Sequence, residues 1–144
     1  MLSKRVIAKM VGVSRRLVRV LDAVEDGEAI VVSMQPRTHV AELCPHCWAR
    51  CPGYDRGRVR RWRALDWGRR KVFISCRLGR VRCVEHGVVT AAVPWARHEA
   101  RHTYAFEQEA AWCAVEMSQT AATTLMRCAW RTIGTMVTRV LADL

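Results

Sequence analysis

The sequence has no uninterrupted apolar run approaching the ~18 residues that a membrane-spanning helix requires, so no segment reads as a membrane anchor. Its start also lacks a secretory core, because Lys9 stands where the apolar stretch would have to run. These two absences lead to the expectation of a cytoplasmic chain. Internal repeats, low-complexity tracts and long flexible linkers are missing as well. At 144 residues, 51% hydrophobic and 26% charged, the chain has the balance of a folded protein of one ordinary domain or two small ones.

Acidic residues are scarce. Thirteen Asp and Glu oppose 24 Lys and Arg, a formal charge of +11 that points to a polyanion partner. The excess is concentrated. Residues 21–47 carry one basic and five acidic side chains, whereas between Arg56 and Arg82 eleven basic residues face only Asp66. From Thr103 onward the sum is −1. A plain solvated arginine face is the alternative to a phosphate-binding one. The seven cysteines are odd in number and unevenly spaced, which in a reducing compartment suggests metal or redox chemistry rather than disulfides.

Along the chain, Lys4–Val11 reads as a helix ended by Gly12. Leu17–Leu21 and Ala29–Met34 flank Glu25-Asp26-Gly27-Glu28, a hairpin signal closed by Pro36. Residues 40–96 read as short strands: Arg58–Asp66, a turn at Gly68-Arg69-Arg70, then Lys71–Leu78 and Arg80–Cys83 with an interruption at Gly79. Arginines at alternating positions would line one face of this ribbon and follow a phosphate backbone. The residues assigned to that contact are Arg56, Arg58, Arg60, Arg61, Arg63, Arg69, Arg70 and Lys71. After Pro94 and Trp95 the period turns helical. Thr103–Met117, Thr120–Met126 with Ser118 as N-cap, and Trp130–Leu141 are the three expected helices.

Cys44-Pro45-His46-Cys47 is followed, 35 residues on, by Cys83-Val84-Glu85-His86. Each pair has the spacing that lets two side chains of one tight turn reach the same ion, and two such turns supply four tetrahedral ligands of a structural zinc site. A closed shell of this kind leaves no position for activated water. Cys44-Pro45-His46-Cys47 is also a thiol-oxidoreductase sequence, but that chemistry needs a long following helix, and Pro52-Gly53 prevents one. Cys51 and Cys76 stay open as competing ligands. Cys113 and Cys128 read as small core residues.

Gln119 to Thr138 can be laid over a helix-turn-helix frame, with Ala122, Met126, Cys128, Ile133 and Met136 packing inward. The third helix would then enter the major groove with Arg131, Thr132, Thr135, Thr138 and Arg139. Arg127 stands where glycine is usual in that frame, and Gly134 weakens the third helix.

Cys44-Pro45-His46-Cys47, Arg60-Arg61-Trp62-Arg63, Val81 to Gly87, Val93 to His98 and Ala129 to Gly134 together resemble the N-terminal region of the ISL-three family of bacterial insertion-sequence transposases. The resemblance runs from about Leu17 onward. It implies Cys44, Cys47, Cys83 and His86 as zinc ligands and a transposon-end-reading helix around Trp130–Arg139. It also implies a nuclease core with three carboxylates on two divalent metals. Glu107, Glu109, Glu116 and Asp143, scattered on helices, do not supply that triad, so the expectation is a chain without transposition chemistry of its own.

The resulting expectation is an α+β protein: an N-terminal helix and hairpin (1–38), a zinc-stapled, zinc-ribbon-like β domain (39–96) and a three-helix helix-turn-helix unit (97–144). The expected partner is double-stranded DNA at transposon ends. The alternative is a module that pairs with a full-length transposase or with itself, and the six tryptophans could serve such an interface.

Overall fold

The computed structural model describes residues 2–144, which form two compact units, one ending at Thr103 and one comprising Tyr104–Leu144. The first unit begins with α1 (Lys4–Val11). Ser3 caps it by accepting from the Val6 N–H at 3.2 Å, and Gly12 ends it in the left-handed conformation that a side chain would resist. Ile7, Ala8 and Val11 are its buried stripe and join the core beneath the sheet.

The five strands β1 (Val18–Asp26), β2 (Ala29–Pro36), β3 (Gly53–Trp67), β4 (Arg70–Cys83) and β5 (Gly87–Thr90) form one sheet in the order β1-β2-β4-β3, with β5 on the far half of β4. β1 and β2 form the expected hairpin. Asp26 pairs with Ala29, and the two-residue turn between them has Gly27 at φ 64. β2 then runs parallel to β4, Ile30 opposite Val72 and Ser33 opposite Ser75. That long-range pairing brings the N-terminal hairpin into the same sheet as the arginine-rich ribbon. The ribbon itself is β3 antiparallel to β4, closed at Gly68-Arg69 and disturbed by register shifts, one of them between Arg56 and Val59.

Gly79 does not interrupt β4. It marks a change of phase: Val72, Ile74, Cys76 and Leu78 are buried before it, whereas Val81 and Cys83 are buried after it. A Cβ at Gly79 would lie 3.3 Å from the Asp55 carbonyl oxygen, so the close crossing favours glycine. The phase change divides the apolar interior in two. The larger part gathers α1, the sheet, Trp62 and Trp95, the last two edge to face at 5.3 Å. The smaller holds Cys44, Cys51, Val81, Cys83 and Ala91. β5 completes this end.

The second unit is three helices: α2 (Tyr104–Glu116), α3 (Gln119–Met126) and α4 (Trp130–Ala142). Ser118 caps α3 by accepting from the Ala121 N–H at 3.1 Å. Arg127 ends α3 at φ 55, adopting the left-handed conformation of the glycine whose place it takes. Phe106, Ala110, Cys113, Ala122, Met126, Ile133 and Met136 are buried, the last two one helical turn apart on α4. The fold is therefore mixed α+β, with one N-terminal helix and three C-terminal ones. No helix among the described residues is long and apolar enough to cross a membrane.

Candidate metal centre and nucleic-acid interface

The first turn of the metal centre is a miniature hairpin. Leu43 bridges Arg50, the Cys44 N–H donates to the Ala49 carbonyl (3.0 Å), and the Trp48 N–H donates to the Cys44 carbonyl (2.8 Å). The second is the β4–β5 turn, where Cys83 pairs with Gly87 across Val84-Glu85-His86 and Gly87 supplies φ 73. Both turns fold because their hydrogen bonds close locally, and the sheet sets them face to face.

Cys44, Cys47, Cys83 and His86 bring their ligand atoms within 4.8 Å of one another. Cys47 Sγ lies 3.7 Å from Cys83 Sγ, and His86 Nδ1 lies 3.6 Å from Cys44 Sγ and 3.5 Å from Cys83 Sγ. A tetrahedron with Zn–S near 2.3 Å and Zn–N near 2.0–2.1 Å has edges of about 3.8 Å between sulfurs and about 3.6 Å between sulfur and nitrogen. The observed separations match those edges, so the residues fit a four-coordinate ion. The His86 ring hydrogen bond, with the His86 and Glu85 backbone N–H groups, draws the Cys83 thiol down to about 6. The Ala49 N–H pulls Cys47 down, but burial and the neighbouring sulfurs of Cys83 and Cys44 prevail and push it up to about 11. Such mutual opposition among thiols is what a cation relieves.

Cys51 borders this group without joining it. Its thiol donates to the Ala49 carbonyl at 3.3 Å. Cys76 lies in the sheet, its thiol against the Arg77 carbonyl, and burial pushes it up to about 11. His46 packs its ring 5.1 Å from that of His86 and 5.0 Å from that of His98. Spacing alone does not show that approach to His98.

The basic ribbon sorts into engaged and available cations. Arg63 is 7% exposed, and its guanidinium reaches Asp66 at 3.2 Å; it lies inside the fold rather than on the surface. Arg61 pairs with Asp26 at 3.1 Å. Arg70 pairs with Glu25 at 2.5 Å and donates to the Gly27 and Glu28 carbonyls, tying the β1–β2 turn to the ribbon. Arg56 and Arg58 are exposed without a hydrogen-bond or ion-pair partner among the described residues, and Arg60 lies over the Trp62 ring at 5.6 Å. Arg69 is exposed and Lys71 half-buried. Sequence reasoning missed Tyr54, which the β3–β4 register sets against Arg80 and Arg82 of the basic segment, shortly before Cys83 in the chain. The interleaving of Tyr54 with arginines was the available signal.

On α4 the exposed residues Arg131, Gly134, Thr135 and Thr138 follow helical spacing and share one face, with Thr132 half-buried beside it. Thr135 and Thr138 donate their hydroxyls to the Arg131 and Gly134 carbonyls at 3.2 and 3.1 Å, leaving methyls and lone pairs for a partner. Arg139 does not project with them. Its Nη1 donates to the fully buried Glu107 carboxylate at 2.8 Å.

Residues 41–86 match the zinc-finger of transposase IS204/IS1001/IS1096/IS1165, and residues 91–141 match the helix-turn-helix domain of transposase family ISL3. Among known proteins, the transposase for insertion sequence element IS1557 from two strains of Mycobacterium tuberculosis is 44% identical over 147 aligned positions. The alignment covers 96% of this chain and 33% of each relative, so the chain spans about a third of their length. No solved structure matches it.

Proposed function

The chain belongs to the ISL3 family of transposases, and from that premise we propose that it recognises the DNA ends of an insertion sequence. The observation that carries the reading is the α3–turn–α4 arrangement, which leaves Arg131, Thr135 and Thr138 exposed along one face of a helix. Such a face enters the major groove, where arginine addresses guanine and threonine methyls address thymine. Arg56, Arg58 and Arg60 supply the sequence-independent, salt-sensitive attraction to phosphates.

Cys44, Cys47, Cys83 and His86 hold zinc in this reading. When bound, the ion joins the two turns and contributes folding energy to an end of the sheet whose own apolar cluster is small. Strand cleavage lies outside the proposal. Among the described residues, the cysteine–histidine group is the only gathering of three or more possible ligands, and Asp26, Asp55, Asp66, Glu25 and Glu107 are each paired with an arginine.

The test is recovery of sheared genomic DNA by the zinc-loaded chain near physiological salt, followed by sequencing. Enrichment of inverted repeats flanking mobile elements supports end recognition, and sequence-blind recovery overturns it. A second reading, pairing with another transposase chain, is favoured by Trp112 and Val115, 60% and 78% exposed on α2. Light scattering at high salt without DNA decides it: an oligomer that disappears in Trp112→Glu supports pairing, and a monomer excludes self-association.

A further inference from the structure

The metal end of the first unit exposes two aromatic side chains that neither the core nor the ligand set employs. Trp48 is 57% exposed at the tip of the first turn, in a left-handed backbone (φ 62) fixed by its N–H bond to the Cys44 carbonyl. Tyr54, six residues on at the start of β3, is 48% exposed. Two guanidiniums lie on the Tyr54 ring, those of Arg80 and Arg82, at 5.2 and 5.1 Å from its centroid.

The two arginines on Tyr54 differ. Arg80 is held by Asp55, Nε to Oδ1 at 2.8 Å with a second bond from Nη2 to Oδ2, and this hydrogen bonding keeps the Asp55 carboxyl below its usual range. Arg82 has no hydrogen-bond or ion-pair partner among the described residues for its guanidinium, and only the ring positions it. The result is a positioned, available cation over the ring of a half-exposed tyrosine.

An intact duplex offers no partner for such rings, since its base faces are covered by their neighbours. An acidic peptide would satisfy Arg82 but leave the rings idle. Unpaired nucleotides satisfy both, with bases on the aromatics and phosphates on the guanidiniums. We propose that Trp48, Tyr54 and Arg82 form a stacking platform for unpaired nucleotides within bound DNA, an inference that rests on the DNA-binding role above.

The experiment compares the zinc-loaded full chain on a fluorescein-labelled closed duplex and on the same duplex carrying a central mismatch bubble, by anisotropy. The bubbled duplex is expected to bind more tightly, on the order of 5- to 150-fold for each ring engaged. Tyr54→Ala and Trp48→Ala should remove that preference and leave closed-duplex affinity unchanged, while Tyr54→Phe keeps it. If Trp48→Ala also loses zinc, Tyr54→Ala decides, since Tyr54 is outside the ligand turns. Equal affinity for the two duplexes, or alanine variants that weaken both alike, overturns the platform while leaving duplex recognition intact. No binding to either duplex overturns both readings together.

Discussion

Arg139 of α4 reaches back to α2 and donates through Nη1 to Oε2 of Glu107, a carboxylate with no exposed surface. The arginine end is about one-third exposed, so the two partners are unequal. Removing Glu107 leaves a cation that can turn to water, whereas removing Arg139 takes one charge-bearing partner from a fully buried anion. Breaking a buried pair from one side costs about 3–5 kcal/mol when the remaining charge stays buried. Arg139→Met should therefore destabilise the helical unit by several kcal/mol and Glu107→Gln by markedly less, as read from urea unfolding followed at 222 nm. Equal destabilisation would mean that the pair does not hold α4 against α2.

The ligand set predicts one zinc per chain and a specific response to substitution. Cys44→Ser should abolish stoichiometric zinc, because Cys44 is a fully buried member of the group. Cys51→Ser should retain it, because that thiol is turned to the Ala49 carbonyl. Elemental analysis of the purified variants separates the two cases. Retained zinc in Cys44→Ser would point to Cys51 as a substitute ligand. Chelation of the parent chain should lower strand signal while the helical signal of Tyr104–Leu144 persists, since those helices have their own buried interior.

The division of arginines into engaged and available ones predicts their share of DNA affinity. Each phosphate that the protein ceases to neutralise lowers the slope of log K against log salt by about 0.9. Arg58→Ala should show that change and weaken binding to all sequences alike. Arg70→Ala should not, because its cation is already opposed by Glu25. Arg131→Ala should instead compress the ratio between preferred and unrelated sequences, with a weakening of about 1–3 kcal/mol confined to the preferred one. A salt titration on both sequences reads all three.

Much of this is legible in the chain. The two Cys–His turns carry their spacing locally, and so do the Asp26-Gly27 hairpin and the Ser118 cap; each is visible in a few consecutive residues. What escapes depends on distant partners. The parallel pairing of β2 with β4 has no local signature, so the N-terminal hairpin does not read as part of the same sheet as the ribbon. Gly79 reads as an interruption between two strand segments because its phase change breaks the alternation; the Asp55 carbonyl that makes it intelligible is 24 residues away in sequence. Arg139 reads as a surface cation because Glu107 lies 32 residues away in sequence, and Arg63 because the segment bonded to its backbone, Arg101 to Thr103, is remote, although Asp66 is only three residues on.

Gly134 separates helix stability from recognition. It lies mid-helix on the exposed face of α4, between Arg131 and Thr135–Thr138, and a Cβ there would meet nothing within 4 Å. With no crowding to oppose it, Gly134→Ala should stabilise α4 by about 0.8–1 kcal/mol through helix propensity alone. If that face lies in a groove, the added methyl intrudes where the helix backbone approaches the DNA most closely. The expected outcome is a higher unfolding midpoint together with weaker binding to the preferred sequence. A variant that gains stability and binds unchanged would move the DNA-facing side of α4 away from Gly134, and with it the assignment of Arg131, Thr135 and Thr138.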